Sequence, residues 1–171
     1  MQKIAIVGSG GSGKSHLARQ LATVLDVPVI HLDAVYFDDE WNALPMEKFA
    51  QAQRGLVATP RWVIDGNYNS TLAIRLEACD TVVFMDISTS AALWGIISRQ
   101  IRHGAGHQGS GVHNRITWGV LKYVATYRRQ MRPRVLAKIH EHASGHAEVV
   151  LLTSRRHTRR WLRQVTTTPG D

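Results

Sequence analysis

The sequence predicts an α/β fold in which a five-stranded parallel sheet is covered by helices on both faces, a three-layer arrangement. Three observations carry this. Short apolar, β-rich runs recur at 3–7, 27–32, 62–64, 81–85 and 148–152. Segments with apolar residues three or four apart lie between them, and strands alternating with helices form parallel sheets. The first of them, Lys3 to Val7, reads as a strand buried on both faces, as in a parallel sheet. The 171 residues, 44% apolar and 20% charged, make one domain with one core over 1–171, and neither a disordered nor a fibrous chain.

The elements follow in order. Lys3-Ile4-Ala5-Ile6-Val7 is a buried strand that runs into glycines. Leu17, Leu21 and Leu25, with Ala18 and Ala22 beside them, form one face of a helix over 16–25. Val27 to Leu32 is a second strand ending at Asp33. After Pro45 a helix over 46–58 offers Met46, Phe49, Leu56 and Val57 to the core. Trp62-Val63-Ile64 ends at Asp65-Gly66, and Thr81 to Met85 ends at Asp86. Ser88 can cap a helix over 89–102 with Leu93, Ile96, Ile97 and Ile101 inward. A flexible excursion with Gly104, Gly106, Gly109 and Gly111 follows at 103–113. Helical spacing resumes through Ile116, Val120, Tyr123 (or Val124), Tyr127 and Met131. Pro133 starts or kinks the next helix, to about 143. Glu148 to Leu152 is the fifth strand, and Ser154 can cap a last helix carrying Trp161, Leu162 and Val165. Thr166 to Asp171 reads as a loose tail.

One motif carries chemistry. Gly8-Ser9-Gly10-Gly11-Ser12-Gly13-Lys14-Ser15 fits G-x-x-x-x-G-K-[ST] without a mismatch, between a strand and a helix as the motif requires. Glycines let the loop turn its amides inward around phosphate oxygens. The helix that follows, entered at His16, adds free N–H groups and its dipole. Residues 8 to 16 are therefore the expected ATP-binding segment, with Lys14 bridging the β- and γ-phosphates and Ser15 Oγ ligating Mg²⁺.

Ligands bind beyond the carboxyl ends of strands in open parallel sheets, where Asp33, Asp65 and Asp86 lie. Asp65 suits Mg²⁺ coordination or water positioning, because Gly66 lets a ligand approach the backbone. Asp33 suits contact with a phosphoryl acceptor or service as its base. Asp86 reads as a helix-capping or structural acid.

Charge is uneven. The net +8 divides into −3 over residues 1–98 and +11 over 99–171, where 12 of the 14 basic residues are Arg. Arginine forks match phosphate oxygens, so the basic half points to a polyanionic partner: a nucleotide, a phosphorylated metabolite or nucleic acid. No segment has the roughly 20 apolar residues of a membrane span, and no secretory signal is read at Met1-Gln2-Lys3. A lone Cys79 rules out an intramolecular disulfide framework and fits a reducing, cytoplasmic setting. It reads as a small core residue.

Taken with the phosphate loop, His31-Leu32-Asp33, Ile64-Asp65-Gly66-Asn67-Tyr68, Ser70-Thr71-Leu72, Arg75, Val83-Phe84-Met85-Asp86 and Tyr127-Arg128-Arg129 through Arg132-Pro133 resemble one group over about residues 2 to 163. It is the adenylate-kinase-like P-loop NTPases known as DNA topology modulation proteins or flagellar-regulator-like ATPases. The resemblance implies a nucleoside-monophosphate-kinase-like fold with a core, an acceptor-binding insert near 34–61 and a lid near 99–117. It implies phosphate clamping by lid residues Arg99, Arg102 and Arg115, joined by Arg128, Arg129 and Arg132 from the helix after the lid. It places the adenine near Thr153-Ser154-Arg155. Where adenylate kinases follow Asp-Gly with Phe-Pro-Arg, this chain has Asn67-Tyr68-Asn69, which argues against a nucleoside monophosphate as acceptor.

The expected function is transfer of the γ-phosphoryl group of Mg-ATP to a small acceptor, a nucleotide or another metabolite. Lys14, Mg²⁺ on Ser15, Asp33, Asp65 and the arginines would carry it, and lid closure would exclude water. The alternative is a nucleotide-dependent regulatory ATPase that binds DNA or influences its topology. A weaker third reading is nucleotide binding without transfer. Arg155-Arg156 and Arg159-Arg160 could grip a DNA backbone, yet no base-reading module accompanies them. His103, His107 and His113 match no common zinc spacing. Trp41 and Tyr36 read as packing residues that could stack on a base.

Overall fold

Ile4 to Gly8 are all buried, and that places β1 (Lys3–Gly8) at the centre of the sheet. The computed structural model describes residues 1–38, 40–103, 107–108, 112–113 and 118–167; for 99, 100, 102, 103, 107, 108, 112 and 113 it describes the backbone. β1 pairs in parallel with β3 (Trp62–Asp65) and with β4 (Thr81–Met85). β2 (Val29–His31) adds to β3, and β7 (Glu148–Leu152) to β4, giving the all-parallel order β2-β3-β1-β4-β7.

Alternate residues of the strands feed two cores. Ile4, Ile6, Val63, Val83, Met85 and Leu152 pack with Leu17, Ala18, Leu21 and Ala22 of α1 (Lys14–Leu25) and with Trp161, Leu162 and Val165 of α8 (Arg155–Thr167). Ala5, Val7, Ile64, Val82 and Phe84 face the other way. They meet α2 (Leu32–Tyr36), α3 (Met46–Val57), α4 (Leu72–Ala78), α6 (Trp118–Gln130) and α7 (Arg132–His142). A third, small cluster joins Ala92 and Ile96 of α5 (Thr89–His103) to Val124 of α6. Helices thus cover both faces of a five-stranded parallel sheet, as the sequence predicts.

Several expectations are corrected in detail. The second strand stops at His31, because Leu32 begins a helix and is fully buried there. Asp33 therefore stands in the first turn of α2 and not at a strand end. An apolar run does not reveal this change, since Leu32 reaches the core in either conformation. The segment 69–78 forms a 3₁₀ turn (Asn69–Thr71) and α4, neither of them expected. Met46 is 44% exposed: it lies in the first turn after Pro45, and its sulfur accepts a hydrogen bond from Ser70 Oγ at 3.4 Å. Ile97 and Ile101 are also exposed, because α5 buries a narrow stripe through Ala92 and Ile96. Thr166 and Thr167 belong to α8 and not to a tail.

Within the glycine-bearing excursion, β5 (His107–Gln108) and β6 (Val112–His113) pair antiparallel. Ile116, Arg115 and the side chains of Arg99, Arg102, His103, His107 and His113 lie outside the described residues. Among described residues no helix is long and apolar enough to cross a membrane. Cys79 is buried, as expected, and burial pushes its thiol up to about 12.

Candidate active site

The phosphate loop joins β1 to the N-terminus of α1, whose first turn carries no acidic residue. Its free amides therefore present an uncompensated positive end. The Ser9 and Ser12 hydroxyls are buried without a hydrogen-bond partner. A buried polar group with no partner is costly, and an anion in the loop would satisfy both. Lys14 Nζ donates to the Ser9 carbonyl at 2.9 Å. Helices α5 and α6 roof the loop. Gly11 (φ 72°) lies so close to α5 that a Cβ there would overlap the Ala92 carbonyl oxygen, and a Cβ on Gly95 would overlap Gly11's own carbonyl oxygen. The two backbones touch.

Beneath the loop, Ser15 Oγ donates to Asp65 Oδ2 at 2.6 Å. Asp65 ends β3 beside β1, aligned with Ile6, and is buried. Its other oxygen, Oδ1, pairs with His31 Nδ1, because the β2–β3 register sets His31 opposite Asp65. Ser15 and Asp65 are hard oxygen donors of the kind Mg²⁺ prefers. Among the described residues no three His, Cys, Asp or Glu side chains gather as a metal site. A metal here would need phosphate oxygens to complete its shell, which is how Mg²⁺ is held beside nucleotides.

On the β2–β3 side, Asn67 Oδ1 accepts from the Gly8 amide at 2.9 Å, and Asn67 Nδ2 donates to Tyr123 Oη at 3.0 Å. Tyr68 Oη donates to Asp33 Oδ1 at 2.7 Å. Burial, together with the Asp33 charge, pushes the Tyr68 phenol up, so it stays a donor. Asp33 is thus tied to the phosphate loop through Tyr68 and Asn67. Gly66 (φ 145°) lies against Leu32, where a Cβ would stand 2.8 Å from the leucine Cβ. Arg75 is fully buried below this turn. It donates to Gln53 Oε1, to the Gly66 carbonyl at 3.2 Å and to the Asn67 carbonyl at 2.9 Å, and burial drives its pKa down.

Asp86 follows Met85, the partner of Gly8 in the β1–β4 register. Arg132 Nε donates to Asp86 Oδ2 at 2.9 Å, and Arg128 Nη2 stands 3.6 Å from Oδ1. The hydrogen bond to Asp86 raises the Arg132 pKa. Asp86 anchors Arg128 and Arg132 one residue beyond the loop's own strand partner. Arg129 is exposed. On the α8 side a cleft of about 710 Å³ runs from Gly11, Ser12, Gly13 and His16 to Arg155, Arg159 and Arg163. Arg155 Nη2 also donates to the Ala91 carbonyl at 3.0 Å. Ser154 does not line this cleft. Its Oγ accepts from the His157 amide at 3.1 Å and caps α8.

The structure thus brings together Lys14, Ser15 and Asp65, ties Asp33 to them, sets Arg155 beside the loop and holds Arg128 and Arg132 at Asp86. Sequence reasoning missed His31 as Asp65's partner, the Asn67–Gly8 bond and the role of Gly95. Gly95 had a readable signal, because a glycine inside a helical pattern often marks close packing. His31 had none: its pairing depends on the register between strands 30 residues apart.

No family model matches the chain, and no curated protein does. Solved structures do. A shikimate kinase from Acinetobacter baumannii, in complex with shikimate, is 15% identical with a TM-score of 0.58, over 96% of this chain and 90% of that one. A shikimate kinase from Bacteroides thetaiotaomicron is 15% identical with a TM-score of 0.55, over 95% and 94%. A protein from Chloroflexus aurantiacus, provisionally described as a kinase, is 15% identical with a TM-score of 0.52, over 99% and 100%. The fold is that of P-loop kinases.

Proposed function

We propose that this chain is a phosphotransferase that moves the γ-phosphoryl group of Mg-ATP to a hydroxyl of a small acceptor. The observation that carries the reading is the Ser15–Asp65 hydrogen bond beneath a loop whose Ser9 and Ser12 hydroxyls are buried and unpartnered. Phosphoryl transfer needs in-line positioning and neutralisation of oxygen charge more than covalent help. The loop amides and Lys14 would cradle the phosphates. Ser15 and Asp65 would hold Mg²⁺, which supplies charge neutralisation when bound. Asp33 would orient the acceptor hydroxyl or take its proton, with Tyr68 fixing the carboxylate. Arg128 and Arg132, steadied by Asp86, would meet the transferring group, and Arg99 and Arg102 would join them from a lid near 99–117. Arg155 would border the nucleoside with the α8 cleft. The resemblance to DNA topology modulation proteins belongs to this reading and gives it no nucleic-acid step.

The test is ADP release from Mg-ATP with a panel of metabolites and nucleotides, run beside Lys14→Ala. The expected result is an acceptor that raises ADP release well above the rate in water, and a Lys14→Ala loss of about 10²–10³-fold, the usual cost of one transition-state charge contact. Stimulation by duplex DNA and by no small molecule would show a regulatory ATPase instead.

A further inference from the structure

We propose that the acceptor is an uncharged, hydroxyl-bearing molecule with a flat apolar face, of nucleoside or aryl-glycoside type, and not a phosphate monoester or carboxylic acid of that kind. This rests on the phosphotransferase reading and narrows it. The first observation is charge. An anionic acceptor needs a cation on its own side of the site, since a desolvated anion without one is expensive. Among the described residues, the guanidinium whose charge acts on Tyr68 is that of Arg75, and it is closed off. It is fully buried, and its donors go to Gln53 and to the Gly66 and Asn67 carbonyls. The other described basic residues of 32–71 are Lys48, Arg54 and Arg61, all exposed. Arg61 is drawn to the Leu25 carbonyl at the far end of α1.

The second observation is a ring wall. Tyr68, whose hydroxyl holds Asp33, stands 4.9 Å from Tyr36 between ring centroids; Tyr36 stands 4.8 Å from Phe37, and Phe37 4.3 Å from Trp41. Phe49 closes the inner side at 4.7 Å from Tyr36 and 4.8 Å from Tyr68, and it is fully buried, whereas the other four rings are half-buried. Half-buried rings beside a carboxylate suit a neutral ligand with one flat face and one hydroxyl edge. The third observation is the cost accepted to hold this wall. Trp41 takes φ 64°, a left-handed conformation unfavourable for a bulky residue. A turn fixes it there: the Trp41 amide donates to the Asp38 carbonyl at 3.0 Å, and the Asp38 carboxylate accepts from the Asn42 amide at 2.7 Å and from its Nδ2 at 3.1 Å. Asp33 Oδ1 receives the tyrosine, which leaves Oδ2 to meet an acceptor hydroxyl. In the transfer step that O–H bond breaks as the new O–P bond forms. Its proton passes to Asp33, and ADP departs as the bridging P–O bond of ATP breaks.

The experiment measures ADP release from Mg-ATP with matched pairs: adenosine against AMP, thymidine against TMP, phenyl β-glucoside against its 6-phosphate, with shikimate and water alone. The expected result is stimulation of at least tenfold over water by a neutral member, and none by its charged counterpart or by shikimate. Trp41→Ala, checked for an unchanged melting profile, should then raise KM for that neutral acceptor about tenfold and leave KM for ATP unchanged. Stimulation confined to charged compounds overturns this inference and leaves the phosphotransferase reading standing. If no member of the panel stimulates while Lys14→Ala abolishes the rate in water, the phosphotransferase reading itself falls, and this inference with it. An unchanged acceptor KM in Trp41→Ala shows that the rings serve packing, and removes the apolar face from the inference.

Discussion

Gly11 and Gly95 illustrate how much a single residue decides in this molecule. Their backbones are in contact, so a methyl group at position 95 has nowhere to go. Gly95→Ala should lose about 2 kcal/mol of stability in urea titrations, although alanine is the better helix former, because overpacking against a backbone is not relieved by a rotamer change. The same variant should bind Mg-ATP more weakly, since the loop must shift to admit the methyl group. Cys79 makes a second residue-scale case. Its thiol ionises from about pH 9 in the unfolded chain and only near 12 in the folded one. The unfolded state thus releases its proton first as pH rises. The thiol's contribution to stability is whole below pH 9 and declines from there towards 12. Cys79→Ala should flatten that decline between pH 9 and 10, before tyrosines titrate, and native Cys79 should resist a thiol reagent at pH 8 until the chain is unfolded.

Between elements, the contact with most consequence is that of β4 with α6 and α7 through Asp86. The Asp86 side chain is 3% exposed, so the arginines are what allow its charge to stay inside. Arg132→Met should cost about 2–3 kcal/mol in chemical denaturation, the penalty of a buried group left without its charged partner. Adding Asp86→Asn should restore part of it, because an amide tolerates the loss, and the cycle of the two variants measures the coupling. The elements were unevenly legible. Continuous apolar runs announced β1, β3, β4 and β7, and α3 was announced by Pro45 and its spacing. α2 and α4 were hidden for different reasons. Leu32 satisfies both a strand and a helix pattern. α4 spans 7 residues, about two turns, too short for a periodicity to declare itself. The phosphate loop could be read in full, because its chemistry is local. The Arg75–Gln53 pair could not, since its partners come from α3, α4 and the Gly66 turn, and packing alone brings them together.

For the molecule as a whole, ligand binding and folding are linked. A nucleotide that binds the folded chain alone stabilises it by about 2.7 kcal/mol at a hundred times its Kd. For a domain of this size that is a rise in Tm of roughly 5–11 °C. Mg-ATP should give such a rise in differential scanning, and Lys14→Ala should remove most of it. The sheet order carries one more consequence. Asp33 and the ring wall hang from the β2–β3 edge, whereas the arginine-lined cleft hangs from the β4–β7 edge, with the phosphate loop on the central strand between them. On the proposed reading each reactant would have its own doorway, and neither would have to leave before the other enters. Initial velocities measured while both concentrations vary should give intersecting reciprocal plots; parallel lines would reveal a phosphorylated enzyme and a relay in place of a direct hand-over.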